Sequence, residues 1–308
     1  MPSPLVVWCL LDGKPGHENQ SRGLLQALGK LLPLEVHEIQ APGIWQCLQH
    51  FFGRPSTQTP PIPQWIIGAG SKTHLGLLLL KKKFHAKAVV LMRPNFPYGW
   101  FDLCIVPEHD LPPSFPNVLA TKGVLNTIKS GGEHCADQGL ILIGGESSHF
   151  HWSDDGLLAQ IQQIVDNDPL HWTISSSRRT PLSFAEKIQQ LVGVRLQWVP
   201  VEETKAGWVN QHLAQCAKVW ITEDSVSMLY EALTAGCQVG LLQLPPKGET
   251  RVARGVQSVI SDRWVTTFQQ WKSGAVLCQA PAGFHEAGRC ARWIVEAWAM
   301  GVEKAVTK

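Results

Sequence analysis

The chain predicts an α/β fold of two Rossmann-like domains facing each other across a cleft, and three observations carry that expectation. Apolar runs alternate with helical patterns along the whole length. The apolar runs are continuous rather than alternating, which is how parallel strands covered on both faces read. A polar, Gly-containing stretch, NTIKSGGEHCADQG at 126–139, separates two such series and marks a boundary. At 308 residues, 44% hydrophobic and 17% charged, the chain is long enough for two domains of about 150 residues each.

In the first series, strands are expected near 5–11, 34–37, 65–69, 87–92, 103–106 and 118–120, with helices near 18–31, 43–52 and 72–84. The first strand, LVVWCLL, is too short for a signal-peptide core with its flanks and far too short to span a bilayer. In the second series, strands fall near 139–143, 170–175, 196–199, 218–222 and 238–243, and helices near 154–166, 181–192, 206–215 and 225–235. The last segment, HEAGRCARWIVEAWAMGVEKA at 285–305, has apolar residues at roughly helical spacing and is expected to pack back on the first domain. The domains implied are 1–128 and 129–284, with 285–308 as the returning helix.

Composition excludes some functions. Lys and Arg number 27 against 25 Asp and Glu, a formal net charge of +2, so there is no broad basic face of the kind non-specific nucleic-acid binding requires. Eight cysteines, Cys9, Cys47, Cys104, Cys135, Cys216, Cys237, Cys278 and Cys290, form no CxxC pair or metal-like spacing. They fit a reducing cytoplasm. Neither metal nor cofactor is expected.

In open α/β sheets ligands bind beyond the carboxyl ends of the strands, and four stretches follow strands there. After GLILI comes Gly144-Gly145-Glu146-Ser147-Ser148, a turn whose unobstructed amides suit an anion, though Gly pairs also serve plain turns. After HWTISS comes Ser177-Arg178-Arg179-Thr180-Pro181. Thr180 reads there as an N-cap and Pro181 as the first helical residue, and two guanidiniums beside a helix start suit a phosphate. The plainer reading is a pair of surface arginines.

The third stretch is ITEDSVSMLYEALTAG. Asp224 or Ser225 caps a helix on which Ser227 and Glu231 share a face, with Met228 between them. Helical side chains lean toward the N-terminus, so Glu231 can reach the mouth between helix and strand, where a carboxylate suits the vicinal hydroxyls of a ribose. Taken alone, a solvated helix Glu is the better reading. The fourth is DGKPGHENQ, with Asp12, Lys14, Gly16, His17, Glu18 and Gln20 in a loop entering a helix. Histidine is the residue type suited to act as a base at neutral pH, which makes His17 a candidate, and Asp12 or Glu18 could orient or replace it; a lone His is more often a structural hydrogen-bonder. His109 and Asp110 in CIVPEHD end another strand, where they orient a substrate or merely close a turn.

These pieces carry a resemblance. DGKPGHENQ, FDLCIVPEHD, the Gly-Gly-Glu-Ser turn, SSSRRTP and ITEDSVSMLYEALTAGCQVGLL, in that order, resemble the family named for the plant mitochondrial-fission (elongated mitochondria) protein, which has many bacterial members. The resemblance implies a GT-B glycosyltransferase-like fold. At fold level the Gly16-His17 loop also resembles the acceptor-side glycine-histidine loop of the peptidoglycan N-acetylglucosaminyltransferase. In such enzymes the second domain holds a nucleotide sugar, with an acid like Glu231 on the ribose.

The leading expectation is a glycosyltransferase-like protein. Gly144, Gly145, Ser147, Arg178 and Arg179 would receive the diphosphate of a nucleotide-sugar donor, and Asp224, Ser225, Ser227, Met228 and Glu231 its phosphate and ribose. His17, with Asp12 and Glu18, would act on an acceptor placed by Lys14, Gly16, Gln20, His109 and Asp110. Helix dipoles and arginines can stabilise the departing diphosphate without metal. The alternatives are a non-catalytic adaptor that recruits a partner protein and a nucleotide-sugar epimerase. A Rossmann dehydrogenase ranks below, because no Gly-x-Gly-x-x-Gly follows any strand. Trp45, Leu48, Phe51 and Phe52 on one helix and Lys81-Lys82-Lys83 at the end of another would suit peripheral contact with an anionic membrane carrying a lipid-linked acceptor. The plainer reading is core aromatics and a solvated helix end.

Overall fold

The computed structural model describes residues 3–41 and 60–299. The chain forms two compact units: unit 1 runs to Thr127 and resumes at Glu286, and unit 2 is Ile128–His285. Each has a six-stranded sheet in which every strand pairing is parallel. The expected helix 43–52, with Trp45, Leu48, Phe51 and Phe52, lies outside the described residues.

Unit 1 contains β1 (Leu5–Leu11), α1 (Pro15–Gly29), β2 (Leu34–Gln40), β3 (Trp65–Ala69), α2 (Ser71–Phe84), β4 (Lys87–Leu91), β5 (Leu103–Pro107) and β6 (Val118–Thr121). Side chains along a strand alternate between faces, and here both faces are covered. Val7, Cys9 and Leu11 enter one core with Leu24, Leu25 and Leu28 of α1, while Trp8 and Leu10 enter another with Leu77 of α2. Each such leucine contributes about 1.5–3 kcal/mol by leaving water. α1 starts at Pro15, ahead of the expected residue 18, because proline's fixed φ suits the first helical position and its missing N–H would go unbonded there anyway. β4 stops at Leu91 because Met92 turns left-handed at φ 71°.

Unit 2 contains β7 (Cys135–Leu142), α3 (Asp154–Asn167), β8 (His171–Ser175), α4 (Leu182–Ile188), β9 (Leu196–Val199), α5 (Trp208–Gln215), β10 (Cys216–Thr222), α6 (Val226–Ala235), β11 (Gln238–Leu242), α7 (Arg251–Ser261), β12 (Thr266–Thr267) and α8 (Phe268–Lys272). Its core is built on Trp172 and Trp220, packed with Ile141, Ile161, Ile174, Phe184 and Leu242. β7 begins earlier than expected because its exposed first residues still pair with β10, across a register shift between Cys216 and Lys218. The helix expected over 181–192 is shorter: after Ile188 the chain tightens into a 3₁₀ turn, Gln189–Leu191. Between Leu242 and the last helix the sequence patterns predict no element, although Thr267 and Gln270 form a reciprocal capping box at the head of α8.

The last helix, α9 (Glu286–Ile294), belongs to unit 1. Ala287, Cys290, Ala291 and Ile294 join the core that holds Leu24 and Leu28, while Glu286 accepts the Lys122 amide at 2.9 Å. No helix among the described residues is long and apolar enough to cross a membrane. Of the lysines ending α2, Lys81 is engaged by Asp102 at 2.9 Å and by the Trp100 carbonyl.

Strand order decides where a site can form. In unit 1 the order is β2-β1-β3-β4-β5-β6, and in unit 2 it is β12-β11-β10-β7-β8-β9. The chain therefore reverses its direction of growth between β1 and β3 in the first sheet, and between β7 and β10 in the second. Adjacent loops diverge to opposite faces at such switch points and leave a crevice at the carboxyl ends of the strands.

Candidate functional site

At the unit 1 switch point, β1 ends at Leu11 and delivers Asp12, whose carboxylate is 1% exposed. One oxygen accepts the Lys14 amide at 3.0 Å and the other meets Nδ1 of His17 at 2.8 Å. The imidazole is 20% exposed. The dyad rests on Gly70, the residue between β3 and α2, which has φ 86°. A Cβ on Gly70 would stand 2.7 Å from Asp12 Oδ2 and closer still to His17 Nδ1. Only glycine meets both the backbone angle and the space.

Of the two carboxylates that could have oriented His17, Glu18 turns elsewhere: it pairs with Arg22 at 3.2 Å, which also holds Glu38 at 2.7 Å. Gly16 and the Lys14 side chain are exposed, and Gln20 is buried with its amide reaching the Gly16 carbonyl at 3.3 Å. His109 and Asp110 occupy a 3₁₀ turn after β5, a strand separated from β1 by β3 and β4.

At the unit 2 switch point, the ends of β7, β8 and β10 are tied together. Gly144 N–H donates to Thr222 Oγ1 at 2.7 Å and Gly145 N–H to Asp224 Oδ2 at 3.0 Å. Ser177 Oγ and Thr180 Oγ1 both donate to the Gly144 carbonyl. The Asp224 carboxylate is 0% exposed and pairs with Arg179 Nη2 at 2.7 Å, while the Arg179 side chain is 45% exposed. Arg179 Nη1 also reaches the carbonyls of Gly145 and Glu146, at 3.3 and 3.1 Å. The two glycines are required by close approach, since a Cβ on Gly144 would stand 2.6 Å from Asp224 Cγ and one on Gly145 2.6 Å from the Thr180 nitrogen.

This network corrects the expected caps. Thr180 spends its hydroxyl on Gly144, so Pro181 takes the N-cap position and α4 begins at Leu182. Ser225 is the N-cap of α6 but makes no side-chain cap bond; its hydroxyl goes to Met228 Sδ at 3.2 Å. Asp224 serves Gly145 and Arg179 instead of the helix. Ser147 closes its own turn, accepting the amides of His149 and Phe150 at 3.2 Å. Arg178 is exposed and Ser227 is exposed, with Glu231 half-buried one turn on.

Two residues carry no functional reading in the sequence, one at a strand end and one on a helix. Glu223, buried at the end of β10, accepts the Leu244 amide at 2.9 Å. Burial pushes its carboxyl up to about 7, with Asp224 adding to the rise and the Leu244 bond opposing it. His74, on the buried side of α2, accepts the Asn95 amide on Nδ1 at 3.2 Å. Burial and then His17 hold its pKa below the ordinary histidine value. The only signal for Glu223 was an acid directly after a buried apolar run, and His74 carried none that distinguished it from a core residue.

The chain matches over residues 15–298 the family described as Mitochondrial fission ELM1. It belongs to that family. An uncharacterized protein of Rickettsia prowazekii is 25% identical over 223 residues, which is 56% of this chain and 63% of the relative's length. Among solved structures, a UDP-GlcNAc 2-epimerase from Methanocaldococcus jannaschii superimposes with a TM-score of 0.57 at 11% identity, covering 95% of this chain and 100% of that one. MurG of Acinetobacter baumannii gives 0.53 at 11% identity over 95% and 100%, and a Neisseria meningitidis UDP-GlcNAc 2-epimerase 0.53 at 12% over 96% and 100%. At these identities the likeness shows the fold: two parallel α/β domains of GT-B type, shared by this member of the family.

Proposed function

We infer that the protein is a glycosyltransferase that binds a nucleotide diphospho-sugar on unit 2 and uses the Asp12–His17 pair of unit 1 to deprotonate an acceptor hydroxyl. The observation that carries this reading is the pair itself. A buried carboxylate fixes one ring nitrogen of a partly exposed imidazole at the carboxyl end of β1, which leaves the other nitrogen to take a proton. In a direct displacement the acceptor oxygen attacks the anomeric carbon, the bond from that carbon to the diphosphate oxygen breaks, and the hydroxyl proton passes to His17 Nε2. Asp12 holds Nδ1–H and stabilises the imidazolium that forms.

On unit 2, the exposed Arg178 lies in the loop after β8, and the N-terminus of α6 with the half-buried Glu231 follows β10, the strand beside β7. They supply charge for a diphosphate and a carboxylate for a ribose. The fold likeness to the Neisseria epimerase, solved bound to UDP-GlcNAc, supports a nucleotide sugar as the ligand class. A lipid-linked acceptor at a membrane surface fits the same reading.

A thermal-shift panel of nucleoside diphosphates and their sugar conjugates tests it. A ligand at 100 times its Kd stabilises the folded state by about 2.7 kcal/mol, and Glu231→Ala is expected to weaken the shift without unfolding the protein. No shift with any nucleotide at millimolar concentration would refute the donor site and favour the adaptor. A second reading, a nucleotide-sugar epimerase, is favoured by Glu223, whose carboxyl near 7 can both take and return a proton. Solvent deuterium incorporated into the recovered sugar would select it.

A further inference from the structure

His74 carries a polar atom that nothing among the described residues satisfies. Because Nδ1 accepts the Asn95 amide, the ring proton resides on Nε2. The residue is 1% exposed, and Nε2 has no hydrogen-bond partner among the described residues. Its flanking rings, Phe96 and Phe101, meet it edge-on and offer no strong acceptor. An unbonded buried donor is destabilising, and an acceptor that arrives from outside removes the penalty.

His74 is the fourth residue of α2, and helical side chains lean toward the amino end, so the ring lies beneath the first turn. That turn opens at Gly70, which has no side chain to cap it. The Gly70 carbonyl is taken by the Thr73 amide and hydroxyl. The amides of Ser71 and Lys72, both exposed, have no acceptor among the described residues. The same Gly70 is the floor on which Asp12 and His17 rest, and His17 is near enough to depress the pKa of His74. The first turn of a 14-residue helix, with its dipole, therefore presents open N–H groups beside the dyad, and a buried neutral N–H stands behind them.

The geometry points to an oxyanion site at the amino end of α2, where the Ser71 and Lys72 amides and His74 Nε2–H hold a phosphate of the acceptor beside His17. That the phosphate belongs to an acceptor rests on the glycosyl-transfer reading above; the site itself does not. Three N–H donors without a partner among the described residues belong to the first four residues of this helix, and a tetrahedral anion takes such donors. Asp12 does not repel the ligand as a bare charge would, because its two oxygens are engaged by Lys14 N–H and His17. A neutral histidine also supplies a donor without placing a second positive charge next to the ring that must accept the proton.

Inorganic phosphate titrated into the whole chain, followed through the imidazole and amide ¹H–¹⁵N signals, tests the site. His74 Nε2 and the Ser71 and Lys72 amides are expected to move together with one affinity. Ser71→Pro removes one donor while keeping the helix, since proline is favoured at the first helical position and Gly70, at ψ 154°, suits a residue before proline. That variant and His74→Phe are each expected to weaken phosphate about tenfold or more. Nucleoside-diphosphate binding, measured separately with Glu231→Ala, reports on unit 2, so the two sites fail independently. Signals at His74 that do not move, or an affinity unchanged in Ser71→Pro, would overturn the proposal.

Discussion

Arg178 and Arg179 are neighbours in sequence and opposites in environment, and replacing each by alanine is expected to separate stability from binding. Arg179 Nη2 lies 2.7 Å from a carboxylate that is 0% exposed, and a hydrogen bond to a charged group contributes about 1.5–3 kcal/mol. Arg179 is itself nearly half exposed, so solvent screens part of that. Its two carbonyl contacts, at 3.1 and 3.3 Å, add little. Arg179→Ala is therefore expected to destabilise unit 2 by about 1–2 kcal/mol, a fall in Tm of roughly 2–8 °C for a domain of this size. Arg178, exposed and outside that network, should change stability by no more than about 0.5 kcal/mol on truncation. It should instead lower nucleoside-diphosphate affinity by about 1.5–3 kcal/mol where its guanidinium meets the anion, with an effect that shrinks as salt rises. Urea unfolding followed by the fluorescence of the buried Trp172 and Trp220 measures the first quantity and calorimetric titration the second. Equal stability of the two variants would refute the reasoning, because Asp224 would then keep its place without Arg179, and Arg179 would be available to a ligand.

Gly145→Ala forces a Cβ against the backbone of Arg179 and Thr180 and is expected to cost about 1–3 kcal/mol by overpacking; a wild-type unfolding midpoint would show that the loop gives way freely. Glu223 titrates near 7 when folded against 4.5 ordinarily. A folded pKa raised above the unfolded one leaves stability full below pH 4.5 and reduces it as pH rises through 7, by up to about 3 kcal/mol. Glu223→Gln should flatten that slope in urea unfolding from pH 4 to 8, and an unchanged slope would assign it to other groups. His17→Ala and Asp12→Asn are each expected to leave nucleotide affinity intact while lowering transfer by about 10²–10⁴-fold. Near wild-type turnover in His17→Ala would make that residue structural.

Much of the fold was legible because its signals are local. A parallel strand buried on both faces needs apolar residues at every position, so LVVWCLL announces β1 without reference to anything else. The start of α4 moved because a longer-range bond competed with a local preference. Thr180 could have capped α4, but its hydroxyl found the Gly144 carbonyl, and that partner comes from another strand.

The sequence by itself determined the α/β class, the parallel sheets, and which loops follow strand ends: Asp12 to His17, Gly144-Gly145, Ser177 to Thr180 and Asp224-Ser225 were all found that way. Only the tertiary structure decided which of those loops are neighbours. Backbone ladders pair strands through groups that every residue carries, so nothing in the side chains of β1 names β3 as its partner, nor those of β7 name β10. Strand order places the switch points, and the switch points decide the partners: Asp12 rather than Glu18 for His17, Asp224 for Arg179, and Gly70 beneath the dyad. Burial acts in the same way. Glu223 and His74 are ordinary polar residues in the sequence, and the packed elements around each exclude the water that would have kept their pKa values ordinary.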